Sequence, residues 1–197
     1  RKERLTGARK REHGWKPPSH PPAARKRPII SPRILNPQPL AFAQPNPELL
    51  QISLGANDLN PQVKLEWQCE IEDDDLIPDF LIERMDGYCD ILDFKLPSLK
   101  SNPVVGPSSR RHPSFEIDTA IAQLQKYEEW CSQTVNQKWL EENKGIRVMH
   151  PQKYLIIGRT DDFAAADRQR LRQTRNTMVL TYDEFIEMAR FQIYRVR

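Results

Sequence analysis

The segment from Ile77 to Pro97, IPDFLIERMDGYCDILDFKLP, constrains the fold of this chain more than any other part of the sequence. Both of its arms are rich in apolar and β-branched residues, and Met85–Asp86–Gly87 between them has the composition of a tight turn. A three-residue loop of the αR–αR–αL kind favours glycine in its third position, where Gly87 stands. The segment therefore predicts a β-hairpin in which Arg84 pairs with Tyr88.

This register brings three charged side chains to one face of the hairpin. The numbers of paired residues sum to 172, so Asp79 falls opposite Asp93, and directly opposed Cβ atoms lie about 5 Å apart. Lys95 lies two residues beyond Asp93 and shares its face, whereas Asp90 points to the other face and is interpreted as structural. A two-residue loop would put Asp79 on the face opposite to Asp93. The turn type thus decides whether the three charges meet.

Two carboxylates held this close repel each other unless a cation neutralises them. Mg²⁺ and Mn²⁺ suit such a place because they prefer hard oxygen ligands. Lys95 beside the metal is suited to orienting or helping to deprotonate an attacking water, or to stabilising charge on a phosphate. The hairpin therefore predicts a site for phosphodiester hydrolysis. The alternative is an exposed sheet face with a salt bridge.

The rest of the chain predicts an α/β (α+β) fold with a central mixed sheet flanked by helices. A short helix is expected from Pro47, with Asn46 as its N-cap, and a half-buried strand is expected over residues 63–71. A long helix is expected from Phe115 to a stop at Gly145. We also expect a Pro-, Gly- and Ser-rich loop over residues 97–114 and a buried strand over residues 153–159. After these, we expect a helix over residues 162–176 and a final strand that becomes a helix with Thr181 as N-cap.

At this point the residues resemble a family. Pro78–Asp79 followed by Asp93–Phe94–Lys95 resembles the PD-(D/E)xK motif of a nuclease superfamily, and Gln123 and Tyr127, on one face of the long helix, match the QxxxY motif of some of its branches. Together with AIAQLQKYEEW, KYLIIGR and LTYDEFIEMAR, this is similar to the nuclease domain of the Shedu anti-phage defence family over about residues 47–191. The sequence departs from many relatives in having Asp93 where they carry Glu.

The resemblance implies a restriction-endonuclease-like fold and a Mg²⁺-dependent (or Mn²⁺-dependent) DNA endonuclease of the bacterial cytoplasm, active in anti-phage defence as a homo-oligomer, a tetramer. It implies Asp79 and Asp93 as metal ligands with help from the Phe94 carbonyl, and Lys95 as the catalytic lysine. Gln123 and Tyr127 are expected to bind substrate or support the site. A third carboxylate often completes such sites, and Glu48 and Glu70 are both candidates. The competing hypothesis is a catalytically silent nucleic-acid-binding or assembly module that keeps the fold.

Residues 1–46 differ in composition from the rest and are interpreted as a basic, Pro-rich arm or linker, with residues 47–197 as the nuclease domain. Residues 1–35 hold 11 Lys and Arg against two Asp and Glu, a net charge of +9, and the remainder holds 19 against 25, a net of −6, which gives the +3 of the whole chain. Three basic runs, RKER and RKR twice, are suited to phosphates in a salt-sensitive manner. A plain linker and an arm that orders on a neighbouring subunit are the alternatives.

From the remaining composition we expect neither a membrane-spanning nor a secreted protein. No stretch approaches the roughly 20 apolar residues that span a bilayer, and the start has no apolar segment of a secretory signal. The three cysteines, Cys69, Cys89 and Cys131, are scattered and show no spacing typical of zinc sites. We therefore expect a cytoplasmic protein without a membrane partner, with reduced and buried thiols.

Overall fold

The computed structural model describes residues 47–68, 76–172 and 176–195. Its elements in chain order are α1 (Pro47–Leu54), β1 (Asp58–Pro61), β2 (Phe80–Glu83), β3 (Cys89–Phe94), β4 (Val104–Val105), β5 (His112–Pro113), α2 (Phe115–Ser132), α3 (Thr134–Lys144), β6 (Val148–Ile156), α4 (Ala165–Arg172), β7 (Thr177–Leu180) and α5 (Tyr182–Arg195). Short 3₁₀ turns lie at Ser108–Arg110 and Thr160–Asp162. No helix in the described part of the chain is long and apolar enough to cross a membrane.

Five strands form a mixed sheet in the order β1-β2-β3-β6-β7. The strands β1, β2 and β3 are antiparallel neighbours, whereas β3, β6 and β7 run parallel to one another. Parallel neighbours need long crossover connections, and α2 with α3 supplies the first of these and α4 the second. The small hairpin β4–β5 stands outside this sheet. A central mixed sheet flanked by helices confirms the predicted fold class.

The central strand β3 is buried along its whole length and divides the apolar core in two. Its residues Cys89 and Ile91 belong to a cluster with α2, α3 and α4, and Leu92 and Phe94 belong to a second cluster with α1 and α5. Side chains of a strand alternate between the two faces of a sheet. Asp93, an odd-numbered residue, therefore lies on the α2 face.

The hairpin of β2 and β3 has the predicted three-residue turn. Phe80 pairs with Leu92 and Glu83 with Cys89, so the paired numbers keep the sum of 172. The Arg84 N–H donates to the Tyr88 carbonyl at 2.8 Å, and Gly87 adopts a φ of +78°, in the left-handed region that glycine tolerates best. The predicted register is confirmed.

The first strand of the sheet lies earlier than the sequence predicts. Residues Asp58–Pro61 form β1, at an edge of the sheet, where a proline is tolerated. Of the predicted strand over residues 63–71, the described part holds a single isolated bridge from Leu65 to Leu76, and residues 69–71 lie outside the described residues. The alternation still marks the buried side, because Leu65 is fully buried with Val63 and Trp67 packed nearby. In residues 63–68, the described part of this segment, the alternation marks burial against the core and not membership of a strand ladder.

The predicted long helix is two helices, so that prediction is wrong in its middle. The helix α2 ends at Ser132, Gln133 is extended, and α3 begins at Thr134. Side chains from α3 satisfy carbonyls at the end of α2, because Asn136 Nδ2 donates to the Trp130 carbonyl at 3.1 Å and Gln137 Nε2 to the Cys131 carbonyl at 2.7 Å. These bonds make a break favourable where the sequence has neither glycine nor proline.

Both predicted helix signals near the later strands are confirmed. Gly145 ends α3 in the left-handed conformation, with a φ of +69° and its N–H donating to the Glu141 carbonyl at 2.9 Å. Thr181 caps α5, since the Glu184 N–H donates to Thr181 Oγ1 at 3.3 Å and the Thr181 N–H donates to Glu184 Oε2 at 3.1 Å.

Other boundaries differ from the sequence predictions. The strand β6 begins at Val148 rather than at residue 153, and the loop over 97–114 contains the β4–β5 hairpin. Of the predicted helix over residues 162–176, the structure describes α4, which begins at Ala165, and residues 173–175 lie outside the described residues. Residues 1–46, which include the predicted N-cap Asn46, also lie outside them.

Candidate active site

Asp79, Asp93 and Lys95 gather where β2 begins and β3 ends. Oδ2 of Asp79, the residue before β2, accepts a hydrogen bond from the main-chain N–H of Phe94 at 2.7 Å. Nζ of Lys95, the residue after β3, lies 2.5 Å from Oδ2 of Asp93. The hairpin register thus brings together the three side chains that the sequence predicts to meet.

Asp93 is a buried carboxyl group, with a side-chain exposure of 3%. Burial raises its pKa, the ammonium of Lys95 opposes this rise, and the negative charge of Asp79 adds to it. Its Oδ2 atom accepts no well-aligned hydrogen bond from the described residues, so its contact with Lys95 is an ion pair. A buried carboxylate of this kind is stabilised chiefly by a nearby cation.

A chain of hydrogen bonds leads from Lys95 into α2. Nζ of Lys95 donates to Oε1 of Gln123 at 2.8 Å, Nε2 of Gln123 donates to the Tyr127 hydroxyl at 2.6 Å, and that hydroxyl donates to the Ile77 carbonyl at 3.1 Å. A carbonyl can only accept, so the Tyr127 hydroxyl must donate its hydrogen to the Ile77 carbonyl and accept a hydrogen bond from Gln123. The amide of Gln123 is therefore fixed with its oxygen towards Lys95.

Tyr127 is suited to this fixed role because its hydroxyl stays protonated. The side chain is buried, and burial, together with the charge of Asp93, raises its pKa to about 12. Of the two residues of the QxxxY motif, Gln123 is exposed and contacts the Lys95 ammonium directly. Tyr127 contacts Gln123 and the Ile77 carbonyl.

The main chain of Lys95 has two partners of its own. Its N–H donates to the Ile156 carbonyl at 2.8 Å, and its carbonyl accepts from the Tyr182 hydroxyl at 2.7 Å. Sequence analysis does not single out Tyr182, because it reads as the first apolar residue of a capped helix. The only sequence signal is its place directly after Thr181, at a turn from strand to helix where a side chain can reach the strand ends.

Asp90 lies on the opposite face of β3, as its parity predicts. Its Oδ1 atom accepts from Arg84 Nη1 at 2.8 Å and from the Gln152 N–H at 2.9 Å. Burial raises its pKa, and these two donors oppose the rise. Its contacts tie the turn to β6, in agreement with a structural role.

A third carboxylate does not join Asp79 and Asp93 among the described residues, where no group of three or more His, Cys, Asp or Glu side chains is placed to hold a metal. Glu48, one predicted candidate, lies exposed in the first turn of α1. Glu70, the other, lies outside the described residues. The two cysteines that are described, Cys89 and Cys131, are buried and free, and burial raises the pKa of each to about 12.

Comparison with known protein families establishes which family this chain belongs to. The family described as "Shedu protein SduA, C-terminal" matches residues 37–186. The chain belongs to this Shedu family. The matched range contains the whole candidate site, including Tyr182, and Shedu membership agrees with the resemblance carried by the hairpin and the QxxxY motif. Among curated proteins, no match is found.

The donor set of this Shedu domain fits a hard divalent cation. Mg²⁺ is usually bound by one or two carboxylates and keeps several waters, and Asp79 and Asp93 offer two carboxylates within reach of one another. The buried Oδ2 of Asp93 has only an ion-pair partner among the described residues, so it is the atom best suited to bind this cation. No described sulfur or imidazole group stands with them to favour zinc.

Proposed function

We propose that this Shedu domain is a metal-dependent DNA endonuclease that acts in anti-phage defence. Membership of the Shedu family indicates the defence role. One observation carries the nuclease activity: Asp79, Asp93 and Lys95 converge on one face of the hairpin, with Gln123 directly on the lysine. This is the arrangement of charge that hydrolysis of a phosphodiester needs.

Asp79 and Asp93 would hold Mg²⁺ or Mn²⁺, with help from the carbonyl of Phe94. Bound there, the metal would act as a Lewis acid on the phosphate and lower the pKa of a coordinated water. The N–H of Phe94 keeps the Asp79 carboxylate turned towards β3, so this ligand does not have to reorient on binding. Such preorganisation reduces the cost of assembling the site.

Lys95 positions the attacking water and balances negative charge on the phosphate. In the reaction, a bond forms between the water oxygen and phosphorus, and the bond from phosphorus to the leaving deoxyribose oxygen breaks. The water proton passes to solvent, and the leaving oxygen takes a proton from solvent. Gln123, which Tyr127 keeps in one orientation, holds the ammonium in place while these changes occur.

A plasmid-nicking assay tests the proposal on the full chain. We expect supercoiled DNA to be nicked with Mg²⁺ or Mn²⁺, the activity to vanish with a chelator, and Lys95→Ala to lower the rate about 100-fold or more. Lys100→Ala, a change at a nearby exposed lysine, is the matched control and should leave the rate unchanged. If Lys95→Ala cuts as fast as the parent, the mechanism is wrong. Binding of DNA without any metal-dependent cleavage would identify a silent binding module.

Deletion of residues 1–35 separates the proposed partners. If the basic arm contacts DNA, its loss weakens binding and flattens the dependence of affinity on salt, because fewer phosphate counterions are released. If the arm contacts a neighbouring subunit, the deletion lowers the oligomeric state of the proposed tetramer and leaves the affinity for DNA unchanged. Sedimentation of both proteins, together with DNA titrations at several salt concentrations, distinguishes the two outcomes.

A further inference from the structure

Tyr182 reaches the candidate site from the far side of the sheet. Its ring belongs to the apolar cluster of α1 and α5, 6.2 Å from the ring of Phe94, and is 8% exposed. The side chain of Lys95 points to the α2 face, where it contacts Asp93 and Gln123. The hydroxyl of Tyr182 contacts Lys95 at the main chain, where it donates to the carbonyl oxygen at 2.7 Å.

The contact lies where the sheet pairing of β3 runs out. Lys95 follows the last residue of β3, and its N–H donates to the Ile156 carbonyl at the end of β6. On its other side, the peptide carbonyl has Tyr182 as its hydrogen-bond donor. The N–H of Tyr182 itself donates to the Gly158 carbonyl at 3.1 Å, which ties the start of α5 to the segment after β6. Both sides of the Lys95 main chain are thus fixed by other segments of the fold.

We propose that Tyr182 is a positioning residue for Lys95: its hydroxyl fixes the main chain of the lysine so that the ammonium reaches Asp93 and Gln123 together. A long side chain multiplies a small rotation of its main chain into a large displacement of its terminal group. Without the hydroxyl, the Lys95 carbonyl loses its donor, and of the two peptide units that flank the Lys95 Cα only the one held through its N–H by Ile156 keeps its bond. The inference rests on the proposed function in one respect: a displaced Lys95 slows cleavage because Lys95 acts in that reaction.

Tyr182→Phe is the informative substitution because it keeps the ring. The packing against Phe94 and Phe185 is apolar and remains, so we expect the protein to fold. Tyr154→Phe is the matched control: Tyr154 is a half-buried tyrosine on β6 that packs against the same cluster, and its hydroxyl has no part in the site. Both variants lose one phenolic hydroxyl from the same region of the molecule.

Steady-state nicking kinetics with Mg²⁺ measure the effect on catalysis. We expect Tyr182→Phe to lower kcat about tenfold with an unchanged KM for DNA, since misplacement of a catalytic group affects the transition state more than binding. Tyr154→Phe should keep kcat within about twofold of the parent. A kcat that is unchanged in Tyr182→Phe, or that falls equally in both variants, overturns the inference.

A second measurement on the metal-free protein needs no activity. The ¹⁵N NMR signal of a lysine ammonium is sharp when its hydrogen bonds hold it in place, and Lys95→Arg identifies the signal that belongs to Lys95. We expect this signal in the parent and in Tyr154→Phe, and its broadening or loss in Tyr182→Phe. An unchanged signal in Tyr182→Phe overturns the inference. If the parent fails to cut DNA, the proposed function fails and this measurement alone decides the role of Tyr182.

Discussion

The main-chain N–H of Phe94 donates to Oδ2 of Asp79 across the β2–β3 hairpin at 2.7 Å. This bond joins the residue before β2 to the last residue of β3, one step beyond the last ladder pair of Phe80 and Leu92. It forms in the register in which Asp79 lies opposite Asp93. A turn one residue shorter would send the Asp79 side chain to the other face of the sheet. The candidate site therefore depends on the turn that closes the hairpin.

Substitution of the turn glycine should weaken the fold. Gly87 has a φ of +78°, which costs an L-residue about 1–2 kcal/mol, and an added Cβ would clash with the guanidinium end of Arg147. We expect Gly87→Ala to lower the free energy of unfolding by about this amount, measured in urea. Gly55→Ala, with a φ of +64° and open space around it, controls for the backbone cost alone. Gly87→Ala should also slow nicking, whereas Gly55→Ala should not. A parental rate of nicking in Gly87→Ala would show that the candidate site does not depend on the turn.

The sequence predicts this hairpin well because the information is local. Three consecutive residues set the turn, and the turn sets every pair along β2 and β3. The convergence of Asp79, Asp93 and Lys95 follows from that register alone, and the position of Gln123 from the helix that comes next. The break at Gln133 is different. It depends on side chains of α3 that bind carbonyls of α2, and no helix-breaking residue marks it.

Contacts between distant segments are likewise hidden from sequence patterns. Leu65 alternates with its neighbours as a strand residue would, yet its burial comes from packing against the core rather than from a ladder. Tyr182 contacts a main-chain carbonyl of Lys95, 87 residues earlier. Every residue has a main-chain carbonyl, so no residue type in the sequence indicates which carbonyl the Tyr182 hydroxyl contacts. Such a contact emerges only when β3, β6 and α5 are placed together.

Asp90 provides a test of pH dependence away from the candidate metal ligands. Its pKa in the folded protein is raised above its ordinary value of 3.8, chiefly by burial. The folded state therefore holds this proton more tightly than the unfolded state does, and the resulting stabilisation is present below about the ordinary pKa and lost as pH rises through the raised pKa. Asp90→Asn keeps an oxygen acceptor for the Gln152 N–H and Arg84 but does not titrate.

The free energy of unfolding of Asp90→Asn, relative to the parent, should thus rise with pH and level off above the raised pKa. Urea unfolding of both metal-free proteins between pH 3.5 and 7 measures this difference, in steps fine enough to cover the range above 3.8. A difference that is constant or falls with pH would contradict the direction of the shift. Because Asp90 faces away from Asp93, the same variant should nick DNA at the parental rate.

Loss of the Gln123 side chain should slow cleavage without unfolding the protein. Gln123 is exposed and contributes little to the core, but its Oε1 atom accepts from the Lys95 ammonium at 2.8 Å. We expect Gln123→Ala to lower the rate of nicking about tenfold, since the Lys95 ammonium loses one of its two partners among the described residues and keeps Asp93. The control is Gln125→Ala, at a half-buried glutamine of the same helix that lies next to Glu128 and Ser132. Equal rates for the two variants would assign Gln123 no role at the site.

Asp79→Asn should separate metal binding from folding. Asparagine keeps an oxygen that can accept from the Phe94 N–H, so the hairpin is retained, but it removes one of the two charges that the proposed metal neutralises. We expect the affinity for Mn²⁺, followed by its electron paramagnetic resonance signal or by calorimetry, to fall about tenfold or more, as expected when a ligand charge is lost. Asp161→Asn, at an exposed aspartate in the 3₁₀ turn, should bind Mn²⁺ as the parent does. Parental affinity in Asp79→Asn would show that the metal binds elsewhere and that Asp79 serves only to fix the end of β3.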